Sequence, residues 1–198
     1  MNIMNHSFAI KFIAACAALA GAGGVFSQHT GPGEHTVPDG TATAQTPYAG
    51  QQARDIKALS ARDAQDLIDG KGMGLALAAE LNGYPGPMHV LEHARALGLS
   101  DAQRDSSARL MAAHKEEARA LGRQLVEAER ELDQAFATRQ IEATALRTRL
   151  QRIGALQAAI RDAHLQTHLT QTALLTPAQI ARYNQLRGYG TAGATHRH

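Results

Sequence analysis

Leu99-Ser100-Asp101-Ala102-Gln103 and Leu175-Thr176-Pro177-Ala178-Gln179 carry one pattern: a leucine, a hydroxyl residue, two further residues and a glutamine. The Ser100 or Thr176 hydroxyl suits the backbone amide three residues on, and Gln103 or Gln179 suits the cap's own amide. Each stretch therefore reads as a capping box that starts a helix. Pro177 falls on the first helical position, where its missing N–H costs nothing. One such box is common in any helical protein. Two of them, both preceded by Leu and bracketing a long helical hairpin, form a more specific signal.

Between the boxes the chain reads as two long helices, about Asp101 to Phe136 and about Glu142 to Thr172, joined near Ala137-Thr138-Arg139-Gln140. Leu121, Leu125, Ala128 and Leu132 follow one another at helical intervals, as do Leu146, Leu150, Ile153 and Ile160. Each set marks one apolar seam. Folding the chain back at the loop opposes Leu132 to Leu146, Ala128 to Leu150, Leu125 to Ile153 and Ala118 to Ile160. Continued outward, the same register sets His114 against His164 and brings Leu110 and Met111 level with His168.

A last helix runs from Pro177 to about Arg187. Upstream, Gln51 to Asp69 reads as an amphipathic helix stopped by Gly70, and Gly74 to Leu81 as a short helix ended by Asn82-Gly83. Tyr84-Pro85-Gly86-Pro87 is a rigid turn, and Met88 to Leu97 is a helix closed by Gly98. No stretch alternates apolar and polar residues as a strand would. The fold class is all-α, a hooked antiparallel hairpin of long helices with short flanking helices.

Lys and Arg total 20 against 18 Asp and Glu, a balance that gives no electrostatic case for nucleic acid. The first residues look like a secretory signal peptide: a short polar start with Lys11, then the apolar run Phe12 to Ala20. Gly21 to Gly24 breaks that run, and Val25-Phe26-Ser27 supplies small residues at the cleavage point. Cys16, the single cysteine, lies inside this segment, with almost no apolar run before it to make a lipoprotein box. Cleavage after Ser27 leaves no thiol chemistry.

The expected organisation is a signal peptide over 1–27, a disordered Gly-, Pro- and Thr-rich lead-in over 28–49 and a helical extension over 50–87. The hairpin domain follows over 88–190, with a disordered tail over 191–198. The protein is thus expected in the periplasm of a bacterium.

Histidine is the unusual residue, at 10 copies. His29, His35, His196 and His198 sit in the two tails and read as incidental. His89 and His93 stand one helical turn apart on one face, and His164 and His168 repeat the arrangement. With His114, these histidines from three helices converge on the open end of the hairpin, away from its loop. A single His-x-x-x-His pair is usually a solvated surface; two pairs brought together by register form a clamp for a metal ion. The candidate ligands are His89, His93, His164 and His168, supplemented by His114, Met111 or Glu92. The ion is a divalent transition metal: copper, zinc, nickel or cobalt.

Met73, Met88 and Met111 are of the type that binds copper(I), but methionine on a helix seam reads as packing material. His89-Val90-Leu91-Glu92-His93 also spells the inverted zinc-peptidase motif. That motif needs a mixed α/β scaffold and a distant carboxylate ligand, so the chain is not read as an enzyme.

The two boxes, with Leu174-Leu175-Thr176-Pro177-Ala178-Gln179, Arg182-Tyr183 and Leu186-Arg187, give the stretch from Met88 to Tyr189 a family likeness. It resembles the periplasmic LTxxQ-motif proteins, which comprise Spy/CpxP-type chaperones and CnrX-like heavy-metal sensor and resistance proteins. The resemblance implies a hooked hairpin, a homodimer, and a role in envelope stress or metal response beside a membrane-bound regulator or unfolded client proteins. In the CnrX-like sensors it implies a His-x-x-x-His pair, a carboxylate and a His-x-x-x-Met pair as ligands. His89 and His93 match the first pair and His164 the later His. His168 stands where that Met would be, and Met111 falls near the expected carboxylate. The chaperone alternative implies a basic, partly apolar cradle, with Arg147, Arg149, Arg152 and Arg161 as candidates to line it.

Export has a direct measurement. Mass spectrometry of the protein recovered from the periplasm should find an N-terminus at or near Gln28; a mature chain retaining Met1 would contradict the signal reading.

Overall fold

The computed structural model describes residues 46–189, and the chain over this span is helical. The signal segment, most of the lead-in, the tail and the four tail histidines lie outside the described residues. Residues 46–49, the end of the expected lead-in, are exposed and enter a turn at Pro47.

A short 3-10 helix, Gln51–Ala53, is followed by α1 (Ala61–Ile68), α2 (Leu77–Glu80) and α3 (Pro87–Glu92). Then come the two long helices, α4 (Asp101–Ala137) and α5 (Ala143–Ala173), and finally α6 (Pro177–Leu186). No strand occurs among the described residues. α4 and α5 pack against each other as an antiparallel pair, and α1 and α3 pack on α4.

Both expected capping boxes are formed. Ser100 Oγ accepts from the Gln103 amide at 3.2 Å, while Gln103 Oε1 accepts from the Ser100 amide at 3.0 Å. Thr176 and Gln179 repeat this at 3.2 and 2.9 Å. The two glutamines also bind each other. Gln103 Nε2 donates to Gln179 Oε1 at 2.9 Å, and Gln179 Nε2 donates to Gln103 Oε1 at 3.1 Å. Gln103 Nε2 additionally reaches the Leu174 carbonyl at 2.8 Å. The box leucines, Leu99 and Leu175, are buried together with Val90, Leu97 and Tyr183 in a small core at the open end of the hairpin. Ile180, in the first turn of α6, packs on the same core, as a hydrophobic staple requires.

The main core joins α1, α4 and α5 through Ile56, Leu67, Leu125, Val126, Ala128, Ile153 and Ile160. Its α4 seam is the expected one. On α5 the seam differs near the loop: Leu150 is 50% exposed and does not oppose Ala128 within the core. Arg149 turns toward α4 instead, and Arg149 and Arg152 meet Glu131 at 3.3 and 2.9 Å. The buried seam of α5 continues instead through Ile153, Ile160 and Ala163 toward the open end.

Upstream, the expected helix over Gln51 to Asp69 is interrupted. Ser60 caps a new helix: its Oγ accepts from the Asp63 amide at 3.0 Å, and Asp63 Oδ2 accepts from the Ser60 amide at 3.3 Å. The box uses Asp where Glu or Gln is usual, and it places a start at Ala61. The preceding non-helical segment still delivers Ile56 to the core at 3% exposure.

Gly70 ends α1 with φ 67, as expected of a stop. The expected helix from Gly74 shrinks to α2 because Met73 and Gly74 take positive φ, 44 and 78. α3 stops at Glu92, and turns lead from there to Gly98, whose φ is 59. Where α1 crosses α4, the approach is too close for any side chain: a Cβ on Gly122 would lie 1.9 Å from the Leu67 carbonyl oxygen.

The glutamine pair generates a stability prediction. Gln103→Ala and Gln179→Ala should each cost about 1 kcal/mol or more in denaturant unfolding, because each removes a cap partner and strands groups on the other amide. The double variant should cost less than the sum, with a coupling of roughly 1 kcal/mol. Strict additivity would show that the two amides act independently.

Candidate metal centre

A cavity of about 790 Å³ opens at the hairpin's open end, where the second core leaves off. His89 from α3, Met111 and His114 from α4, and His164 and His168 from α5 all line it. The register read from the seams holds here, since the His114 and His164 rings meet edge to face with centroids 4.5 Å apart. Met111 lies on the same wall as His114. His93 does not line the cavity. It is the residue that closes α3, and Ala94, Leu97 and Leu99 beyond it turn into the second core.

Hydrogen bonds settle which imidazole nitrogen is available. His89 Nδ1 lies 2.6 Å from Glu92 Oε2. This hydrogen bond, above all, lowers the pKa of the Glu92 carboxyl, so the carboxylate accepts and His89 Nδ1 carries the proton. Glu92 therefore orients His89. His168 Nδ1 lies 2.7 Å from the Tyr84 carbonyl, which can only accept. Thr167 Oγ1 gives its proton to the Ala163 carbonyl at 2.8 Å, leaving its oxygen to accept from His114 Nδ1 at 3.0 Å. In the neutral form of each of these rings Nε2 therefore carries the lone pair, the arrangement in which an outer oxygen fixes a metal-ligating histidine.

His164 completes the set differently. It is 5% exposed, and its Nε2 is buried without a hydrogen-bond partner. Burial first, then the neighbouring His114 and His168, push the His164 pKa down to about 4. Burial also lowers that of His114, partly opposed by Glu117. Both rings are neutral at pH 7, the form that can donate a lone pair to a metal.

The cavity also holds a carboxylate that the sequence pattern did not single out. Glu80, on α2, is 8% exposed. Its Oε1 accepts from Tyr183 Oη at 2.6 Å and Tyr189 Oη at 3.1 Å, with Arg187 Nε at 3.4 Å. Burial and this hydrogen bond push the Tyr183 pKa upward, so the phenol remains a proton donor. Oε2 has no hydrogen-bond partner and lies 3.7 Å from His168 Nδ1. The signal for Glu80 was a lone acid ending the apolar run Leu75-Ala76-Leu77-Ala78-Ala79. The tyrosines that hold it come from more than one hundred residues downstream, beyond the reach of local pattern.

The donor types fit a transition ion: imidazoles held in one orientation by outer oxygens, two of them buried and neutral, and one buried carboxylate oxygen. Among the described residues, no three His, Cys, Asp or Glu side chains are gathered closely enough to hold one. The donors line a common space without being assembled. The His168 ring lies directly over Gly86, where a Cβ would come within 2.8 Å of it.

Among the described residues, no helix is long and apolar enough to cross a membrane. A family model described as heavy-metal resistance matches residues 72–182, more than half of the 198-residue chain. The matched span includes every histidine of the cavity and both Leu-Ser/Thr-x-x-Gln boxes. No match was found among curated proteins or among solved structures.

The buried histidines make acid stability measurable. Their folded pKa values lie below the ordinary 6.5, so the unfolded chain takes up more protons as acid is added. The stability tied to their neutral forms is complete above about pH 6.5 and is lost as the pH falls toward 4. Metal-free protein should show a urea midpoint that drops between pH 7 and pH 5, with a shallower drop in His164→Gln. Equal slopes for the two proteins would rule out His164 as a source of the effect.

Proposed function

This chain belongs to the heavy-metal resistance family, and on that premise we propose that it is an exported metal-binding protein rather than an enzyme. The binding residues in this reading are His89, His164 and His168, with His114 and Glu80 completing the set. The ion is divalent: copper(II), zinc, nickel or cobalt. The observation that carries the proposal is the shared direction of the chemistry. Three cavity imidazoles use Nδ1 on an oxygen and keep Nε2 free, while His164 Nε2 and Glu80 Oε2 are buried without partners.

A bound ion would supply the positive charge that donors on separate helices share. His89 rides on α3, His114 on α4, and His164 and His168 on α5, so binding ties the short helix to the hairpin. Imidazole suits all four metals, and copper(II) binds most tightly where geometry does not intervene. Because the His164 pKa is pushed down to about 4, that ring keeps its lone pair through the neutral range, and proton competition at it sets in only in acid. Glu92 serves as the orienting partner of His89. His93, outside the cavity, is not needed.

Export to the periplasm rests on the signal-like first residues. A homodimer, and a membrane-bound regulator that reads the metal state, complete the proposal.

The alternative is a chaperone that holds unfolded clients. It draws on apolar side chains left in solvent near the hairpin loop, where Phe136 is 53% and Leu150 50% exposed beside Arg149 and Arg152.

Calorimetric titration with nickel(II) and zinc(II) separates the two readings. All proteins compared should carry His29, His35, His196 and His198 changed to Gln, so that the tails cannot imitate a site. The parent should bind about one ion per chain and gain thermal stability on binding. His89→Ala/His164→Ala should lose at least tenfold in affinity, whereas His93→Ala should bind like the parent. If the double variant binds as well as the parent, the cavity is not the site. If it also suppresses client aggregation undiminished without metal, the chaperone reading takes its place.

A further inference from the structure

After Met4 the chain contains three methionines, Met73, Met88 and Met111, and all three line the histidine cavity. Packing does not account for Met73 and Met88, and the partly buried Met111 belongs to neither core. Met73 is 43% and Met88 49% exposed, and none of the three belongs to either apolar core or packs against one. An unbranched apolar side chain left in solvent gains little from burial and nothing from shape.

Met73 is also held where methionine is unfavourable. Its φ is 44, and the only other non-glycine residue with positive φ among the described residues is Arg139. It stands between Gly72 and Gly74, and a third glycine would take this positive φ without the steric cost that a Cβ brings. Neither the turn nor the core therefore explains a thioether at this position. Strain retained on a cavity wall beside unused donor atoms points to a ligand.

We propose that Met73, Met88 and Met111 form a thioether site on this cavity for a soft monovalent cation of the copper(I) or silver(I) kind. The proposal rests on the metal-binding reading of the cavity and widens it from hard-to-borderline divalent ions to soft ones. The chemistry is selective. Thioether sulfur is neutral and polarizable, a good partner for a soft d¹⁰ cation and a poor one for zinc or nickel. With Cys16 as the only thiol in the chain, sulfur ligation beyond the first residues falls to methionine alone. The imidazole Nε2 atoms on the same wall add a borderline donor that such cations also accept. One cavity thus offers two faces, imidazole with carboxylate for divalent ions and thioether with imidazole for soft monovalent ones.

The test uses the full chain labelled with ¹³C at the methionine methyls, titrated with silver nitrate in chloride-free buffer. Silver(I) is the probe because it neither oxidises nor disproportionates. The Met73, Met88 and Met111 methyl resonances should shift together and saturate near one equivalent. Replacing all three by Leu should lower silver affinity at least tenfold with unchanged helicity, and Met73→Leu/Met88→Leu, which spares Met111, should weaken silver binding with an unchanged zinc titration. Met73→Gly should weaken silver binding without loss of thermal stability, since it removes the thioether and relieves the backbone. Methyls that do not move, or a triple-Leu variant that binds silver as tightly as the parent, would overturn the proposal. Zinc binding without methyl shifts under silver overturns it too, while leaving the divalent reading standing. Methyl shifts under silver in a protein that ignores zinc would support the soft site and remove the divalent one.

Discussion

The carboxamides of Gln103 and Gln179 face each other, each donating to and accepting from the other while also capping its own helix. Two amides satisfied in this way lock the start of α4 to the start of α6. Because α5 carries the chain between them, the lock closes a ring through the whole hairpin. The leucine before each box is buried against the same small core, so the apolar contact and the polar clasp act at one place. A polar pair of this sort fixes geometry more than it adds net stability, since each amide exchanges water for an equivalent partner. What it fixes is the open end, where α3, α6 and the cavity meet.

From that end the polar interior follows. A helical hairpin buries apolar residues most economically, yet His114, Thr167 and His164 continue the α4–α5 seam beyond Ile160 and Ala118. The cost is that both imidazoles are held neutral. For metal ligation that is the useful state, because a depressed pKa removes the competing proton. Glu80 carries the opposite burden. A carboxylate buried to this degree needs donors, and Tyr183, Tyr189 and Arg187 supply them to one oxygen while leaving the other unused. The helix that carries Tyr183 is the one clasped by Gln179, so the clasp and the carboxylate share a foundation.

The family's heavy-metal chemistry and the cavity's donors agree in type, and the donors are spread rather than gathered. Three separate helices, α3, α4 and α5, carry the imidazoles, and α3 is anchored on the hairpin by the buried Val90.

Much of this was legible without coordinates, and the reason is locality. Capping boxes need four consecutive residues, so the starts of α4 and α6 were visible in Ser100 to Gln103 and Thr176 to Gln179. The antiparallel register followed from seam spacing and one short loop, which is why the meeting of His114 with His164 could be read from residue numbers. The same reasoning missed the Ser60 box because Asp63 replaces the usual Glu or Gln. It also misassigned Leu150, whose angle around α5 differs from that of Arg149 by one residue's rotation. What required tertiary structure were events between distant segments: the mutual bond of Gln103 and Gln179, the contact of Gly122 with the Leu67 carbonyl, and the tyrosines that hold Glu80. Only packing decided that His93 leaves the cavity while Met73 and Met88 remain on it. Both outcomes depend on where the short upstream helices stop, and that is set by the surface they dock on rather than by their own few residues.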